Sequence, residues 1–123
     1  MDFYQNTALF VAIIVGVFIF TFSSAPFPPS TSKTFSFLSV VYHAGVFFLF
    51  SSFLFLGVKA YSSFMSKKFF IAVFLSLLYA ILDELHQYFV PGRAMDIIDV
   101  WYDFAGSFMS FVFLGFIRWV NGR

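Results

Sequence analysis

Four long apolar runs, separated by three short polar connections, make up nearly the whole chain. They cover about residues 3–24, 35–58, 69–89 and 97–120, and each has the roughly 20 residues a helix needs to cross a hydrocarbon core of about 30 Å. The pattern predicts an all-α, four-helix transmembrane bundle forming a single domain over residues 1–123. Pro26, Pro28 and Pro29 end the first helix and predict an extended segment through Ser30 to Ser32, because proline lacks the helical donor and disfavours helix in the residue before it. The second connection, Lys59 to Lys68, is basic and contains serine. The third holds Pro91-Gly92, suited to the central positions of a type II turn, where glycine takes the positive φ. The first run ends in Ser23-Ser24-Ala25, the small residues of a cleavage site. Its acidic start at Asp2, its length and the following Pro26 instead predict an uncleaved anchor helix.

Composition agrees with the pattern and removes alternatives. The chain is 61% hydrophobic and only 11% charged, with 23 Phe and a mean hydropathy of +0.92, whereas a soluble domain is about a quarter charged. A net charge of +1 without a basic stripe argues against nucleic acid as a partner. The absence of cysteine excludes disulfides, thiolate metal sites and cysteine nucleophiles. Four spans group Lys59, Lys67, Lys68, Arg118 and Arg123 on one side, against Lys33 and Arg93 on the other. By the excess of Lys and Arg in cytoplasmic loops, this predicts cytoplasmic N and C termini in a multi-pass protein of a cell membrane. The turn at Pro91-Gly92-Arg93 is then outside. Ala12 and Gly16, and Gly106 and Ser110, have the small-xxx-small spacing that lets membrane helices approach closely. Tyr88, Trp101 and Tyr102 fit an aromatic belt near the outer interface.

Charge distribution singles out one region. Five of the six acidic residues, Asp83, Glu84, Asp96, Asp99 and Asp103, lie within 21 residues, together with His86, Gln87 and Arg93. At about 1.5 Å per residue, Asp83 and Asp103 each lie roughly 10 Å below the outer ends of their helices, and His43 roughly 12 Å below the start of the second. Three helices thereby bring ionisable groups to one shallow layer. Such groups are expensive in a bilayer and normally face a bundle interior or a cavity. Asp96 and Asp99 also suit the N-terminus of the fourth helix, by capping and by the dipole. Asp103, two turns further in, has no such use. The candidate catalytic residues are Asp83, Glu84, His86 and His43, which can move protons. Gln87, Arg93 and Asp103 are candidates for binding substrate, Arg93 through a fork that suits phosphate or carboxylate. Asp83, Glu84, Asp99 and Asp103 offer oxygen ligands for a divalent metal. Five acids against one Arg require a metal, a cationic ligand or bound protons.

The string Asp83-Glu84-Leu85-His86-Gln87, the following Tyr88-Phe89-Val90-Pro91-Gly92-Arg93, and then Asp96, Asp99 and Gly106 resemble the VanZ-like family of small integral membrane proteins. His43 in VVYHAGVFF and Ser24-Ala25-Pro26 extend the likeness to the first two helices. Asp103 departs from the family pattern, which has Asn there. The resemblance implies a four-helix membrane domain whose namesake is an accessory factor in resistance to the glycopeptide teicoplanin; it implies no reaction.

These observations predict a protein of a prokaryotic cell membrane with an outward-facing acidic pocket. Its expected partner is a membrane lipid or lipid-linked envelope precursor, bound by its headgroup, with a divalent metal as the candidate cofactor. Phosphoryl transfer or hydrolysis is the chemistry such residues suit. The two alternatives are a proton- or cation-coupled small carrier, and a non-catalytic scaffold in which the polar layer pins the helices together.

Overall fold

The computed structural model describes residues 2–26, 33–59 and 66–122. The expected extended segment at Pro28-Pro29 and Ser30 to Ser32, the middle of the Lys59–Lys68 connection, and Arg123 lie outside the described residues. Among the described residues there are four helices and no strand: α1 (Phe3–Ser23), α2 (Lys33–Gly57), α3 (Lys67–Tyr88) and α4 (Ile97–Asn121). All four are long and apolar enough to cross a membrane.

Local chemistry sets the helix limits. Asp2 and Gln5 form a capping box at the start of α1, and the Ser66 hydroxyl accepts from the Phe69 amide to start α3. Asp96 accepts from the Ile98 amide at 2.8 Å, satisfying one of the orphan donors that begin α4. The turn between α3 and α4 has the expected form: the Arg93 amide donates to the Val90 carbonyl at 3.1 Å, and Gly92 takes a φ of 79°.

The helices run alternately up and down. Lys59, just past α2, pairs with Asp2 at the start of α1 at 2.8 Å, so those ends meet. At the opposite end Arg93 donates to the Phe22 carbonyl of α1 at 3.0 Å. Both termini therefore lie at one end of the bundle and the α3–α4 turn at the other.

α2 is the central helix, touching the other three and packing most extensively against α4. Lipid tails are as apolar as leucine, so close backbone approach and interhelical hydrogen bonds hold such a bundle together more than hydrophobic burial does. Gly106 supplies the closest approach: a Cβ there would sit 2.1 Å from the Ala44 carbonyl oxygen. Ser110 faces Ser52 of α2 at 2.8 Å. On α1, Ala12 is buried, and the Gly16 carbonyl accepts from the Tyr79 hydroxyl of α3. Large side chains fill the half of the bundle nearer the termini, where Phe55, Phe69 and Phe111 meet at 4.3–5.5 Å between ring centres. Phe10, Phe18, Phe74, Phe108 and Phe113 face outward, as membrane-spanning helices require.

Candidate functional site

The polar layer lies at the end of the bundle that carries the α3–α4 turn. Its centre is a contact between α2 and α4. His43 Nδ1 is 2.8 Å from Asp103 Oδ1, and His43 Nε2 is 3.5 Å from Asp99 Oδ2. An ionised carboxylate only accepts hydrogen bonds, so with Asp103 ionised His43 Nδ1 carries the proton it donates, and Nε2 is the ring nitrogen that faces Asp99. Asp103 is fully buried and His43 nearly so. The Gly106 contact sits one turn beyond Asp103 and brings α4 close enough to α2 for this bond.

α3 contributes the other half. Glu84 is fully buried and held on both oxygens, by Gln87 Nε2 at 3.2 Å and by the Asp96 amide at 3.0 Å. Ligand atoms of His43, Glu84 and Asp99 all lie within 4.8 Å of one another. Asp83 lies beside this trio rather than within it. Successive residues on a helix diverge by about 100°, so Asp83 and Glu84 point to different sides. Asp83 accepts from Gln87 at 3.2 Å through one oxygen. Its other oxygen is buried without a hydrogen-bond partner among the described residues, as is Asp103 Oδ2.

His86 belongs to a separate contact. Its ring stacks on Phe20 of α1 at 4.5 Å, and its Nε2 is 2.8 Å from the Ser24 hydroxyl. Arg93 stands at the mouth, with its guanidinium 5.9 Å from the Phe22 ring centre. Burial pulls its pKa below the usual guanidinium value, while Tyr42, Asp83, Glu84 and Asp99 favour its charge. An open cleft of about 650 Å³, lined by Tyr88, Arg93, Ala94, Met95, Asp96 and Ile97, lies over the turn. Asp96 itself is exposed and serves as the cap of α4.

Residues 8–118 match the family described as VanZ/LLP1, a span running from the first buried position of α1 to the last turn of α4. The chain belongs to the VanZ/LLP1 family. No curated protein and no solved structure matches it. In this VanZ/LLP1 chain the Asp-Glu and Gln of the resemblance form one connected set, with Asp96 joined to Glu84 through its backbone. The Pro-Gly-Arg turn delivers Arg93 to its edge. At Asp103, where the resemblance expects Asn, the carboxylate stands 2.8 Å from His43 Nδ1.

Two features of this VanZ/LLP1 bundle escape the sequence pattern. Tyr42 packs on Phe22 and edge-on to His43, at 4.6 and 5.4 Å, and its hydroxyl is buried without a hydrogen-bond partner among the described residues. Its place next to His43 in the chain was the available signal. Below the acidic layer, the Ser51 hydroxyl lies 3.0 Å from that of Ser76 and 2.7 Å from that of Ser107; Ser107 donates to the Asp103 carbonyl, so the single Ser51 proton goes to Ser107 and Ser51 accepts from Ser76. Ser51 lies eight residues from His43 on the same helix face, which is the periodicity that links them.

Proposed function

We propose that this VanZ/LLP1 protein binds the phosphorylated headgroup of a membrane lipid or lipid-linked envelope precursor at the polar layer. The distribution of Lys and Arg supports cytoplasmic termini with the Arg93 turn outside. One observation carries the reading: a buried acidic layer with uncompensated oxygens, at one end of the bundle, bordered by an arginine and an open cleft. Arg93 is the group that suits phosphate, and a cation between the carboxylates offsets their charge. An apolar groove of about 490 Å³ between α1 and α3, running past Ala12, Gly16 and Tyr79 to Leu82, suits a lipid chain. The layer also holds what phosphoryl transfer or hydrolysis requires, namely charge to stabilise an anion and a histidine or carboxylate to move a proton.

Carrier function fits less well, because among the described residues the serine string beneath Asp103 opens onto a small apolar cavity of about 200 Å³ walled by Phe55, Phe69 and Phe111. A purely structural layer fits less well too, since polar groups buried for stability alone are normally satisfied.

Native mass spectrometry tests the reading, comparing an isoprenyl phosphate and phosphatidic acid with phosphatidylcholine. Wild type should retain the phosphomonoester lipids at least tenfold better, and Arg93→Lys should lose that preference while remaining folded. Equal retention of all three lipids by wild type refutes the proposal.

A further inference from the structure

We infer that His43, Glu84 and Asp99 form a binding site for a first-row divalent transition metal, zinc above all, with Asp103 as the positioning residue that orients His43. This deepens the reading above by naming the cation, and its test uses metal alone, so it can fail while headgroup binding stands.

Spacing is the first support. Two ligands each roughly 2.1 Å from a tetrahedral zinc stand about 3.4 Å apart. His43 Nε2 and Asp99 Oδ2 are 3.5 Å apart, too far for a good hydrogen bond but a fitting distance between two ligands of one ion. Glu84 brings a third ligand atom within 4.8 Å of both. One imidazole nitrogen with two carboxylates suits zinc, manganese or iron better than magnesium or calcium, which prefer an all-oxygen set.

Orientation of the ligands is the second. Metal-binding histidines almost always donate their other N–H to a carboxylate or carbonyl, which fixes the tautomer and raises the basicity of the ligating nitrogen. Asp103 is placed to accept such a bond from His43 Nδ1 at 2.8 Å. Glu84 is likewise held, by Gln87 and by the Asp96 amide.

Charge is the third and independent support. Asp103, fully buried, keeps one oxygen without a hydrogen-bond partner among the described residues, and Asp83, 5% exposed, does the same. Arg93 alone does not balance this many carboxylates. A divalent ion at the trio adds two positive charges at the centre of the acidic layer. Three protein ligands leave a fourth position for water or a phosphate oxygen.

The test is metal binding to the full chain in detergent. Protein stripped with a chelator is titrated with Zn2+, Mn2+ or Mg2+, and bound metal is counted after dialysis. Wild type should hold one Zn2+ per chain, with Mg2+ at least 100-fold weaker. Asp99→Asn and Glu84→Gln should each weaken Zn2+ at least 100-fold, and Asp103→Asn 10- to 100-fold, the range for losing an orienting carboxylate. Asp2→Asn, which removes an acid at the opposite end of the bundle, should bind as wild type. Failure of wild type to take up stoichiometric metal overturns the proposal, as does wild-type affinity in Asp99→Asn. A readout that needs no variant is X-ray absorption of the zinc-loaded wild type. One imidazole with oxygen neighbours is expected, and a first shell without histidine overturns the assignment.

Discussion

Gly106→Ala is the sharpest perturbation of this bundle, because a single methyl would meet backbone rather than a side chain able to move aside. The new Cβ would lie 2.1 Å from the Ala44 carbonyl oxygen and 2.9 Å from its carbon. Ordinary contact begins near 3.4 Å, so α2 and α4 must separate locally by about 1.3 Å. Overpacking of this kind costs up to about 3 kcal/mol, and the better helix propensity of alanine returns about 1 kcal/mol, leaving a net loss of about 2 kcal/mol. The same separation stretches the His43–Asp103 bond, which starts at 2.8 Å, beyond hydrogen-bonding range. Gly45→Ala is the matched control, one residue from Ala44 on the same helix, with no atom within 4 Å of its added Cβ. It should gain up to about 1 kcal/mol. The assay is reversible unfolding in mixed detergent–SDS micelles, with both variants measured beside wild type and expected to differ by about 3 kcal/mol. A Gly106→Ala protein as stable as Gly45→Ala would refute the close α2–α4 contact and with it the geometry of the His43–Asp103 pair.

Ser51→Ala should destabilise the fold by about 1 kcal/mol in the same assay, because it removes the link between Ser76 and Ser107 and interhelical bonds in membranes average about 0.6 kcal/mol each. Gly92→Ala should cost roughly 1 kcal/mol, since its φ of 79° is disfavoured for an L side chain, and unchanged stability would contradict the turn geometry. The Asp2–Lys59 pair predicts a pH effect of definite sign: Lys59 holds the folded-state pKa of Asp2 below its ordinary 3.8, so the contribution is present above that value and is lost as pH falls through the lowered one. The stability difference between wild type and Lys59→Ala should therefore be present at pH 7, shrink toward zero on acidification below about pH 3.8, and fall with added salt.

Helix number and limits were legible because hydropathy marks spans directly. Each described end lies within two residues of the apolar run that predicts it, and the deviations have chemical causes. α3, for example, begins at Lys67 rather than Phe69 because Ser66 caps it. The depth argument for His43, Asp83 and Asp103 rests on rise per residue, which a straight helix obeys closely. Rotation about each helix axis is harder to read. Asp83 and Glu84 are neighbours in the chain yet serve different surroundings, and His86, one turn further on, faces α1. Those outcomes depend on how neighbouring helices are turned, which no single helix specifies. The serine string was illegible for the same reason. A serine is tolerated almost anywhere in a span, and only the interhelical register decides whether its hydroxyl meets another.

The pairing of His43 with Asp103 also bears on how the protein is made. Sixty residues separate the two partners, and α2 precedes α4 in synthesis. Its imidazole must therefore wait for a partner that has not yet been translated. The later helix carries the heavier burden, since an acid costs up to roughly 2.5–3.5 kcal/mol on insertion, the full figure applying at the middle of a span, and α4 brings Asp103 two turns in as well as Asp99 in its first turn. Docking onto a resident α2 offers those carboxylates a histidine and a glycine-fitted backbone at the moment they leave water. Biogenesis of this chain is then cooperative between its second and fourth spans, and a defect in His43 should show first as poor integration of a helix that begins more than fifty residues downstream.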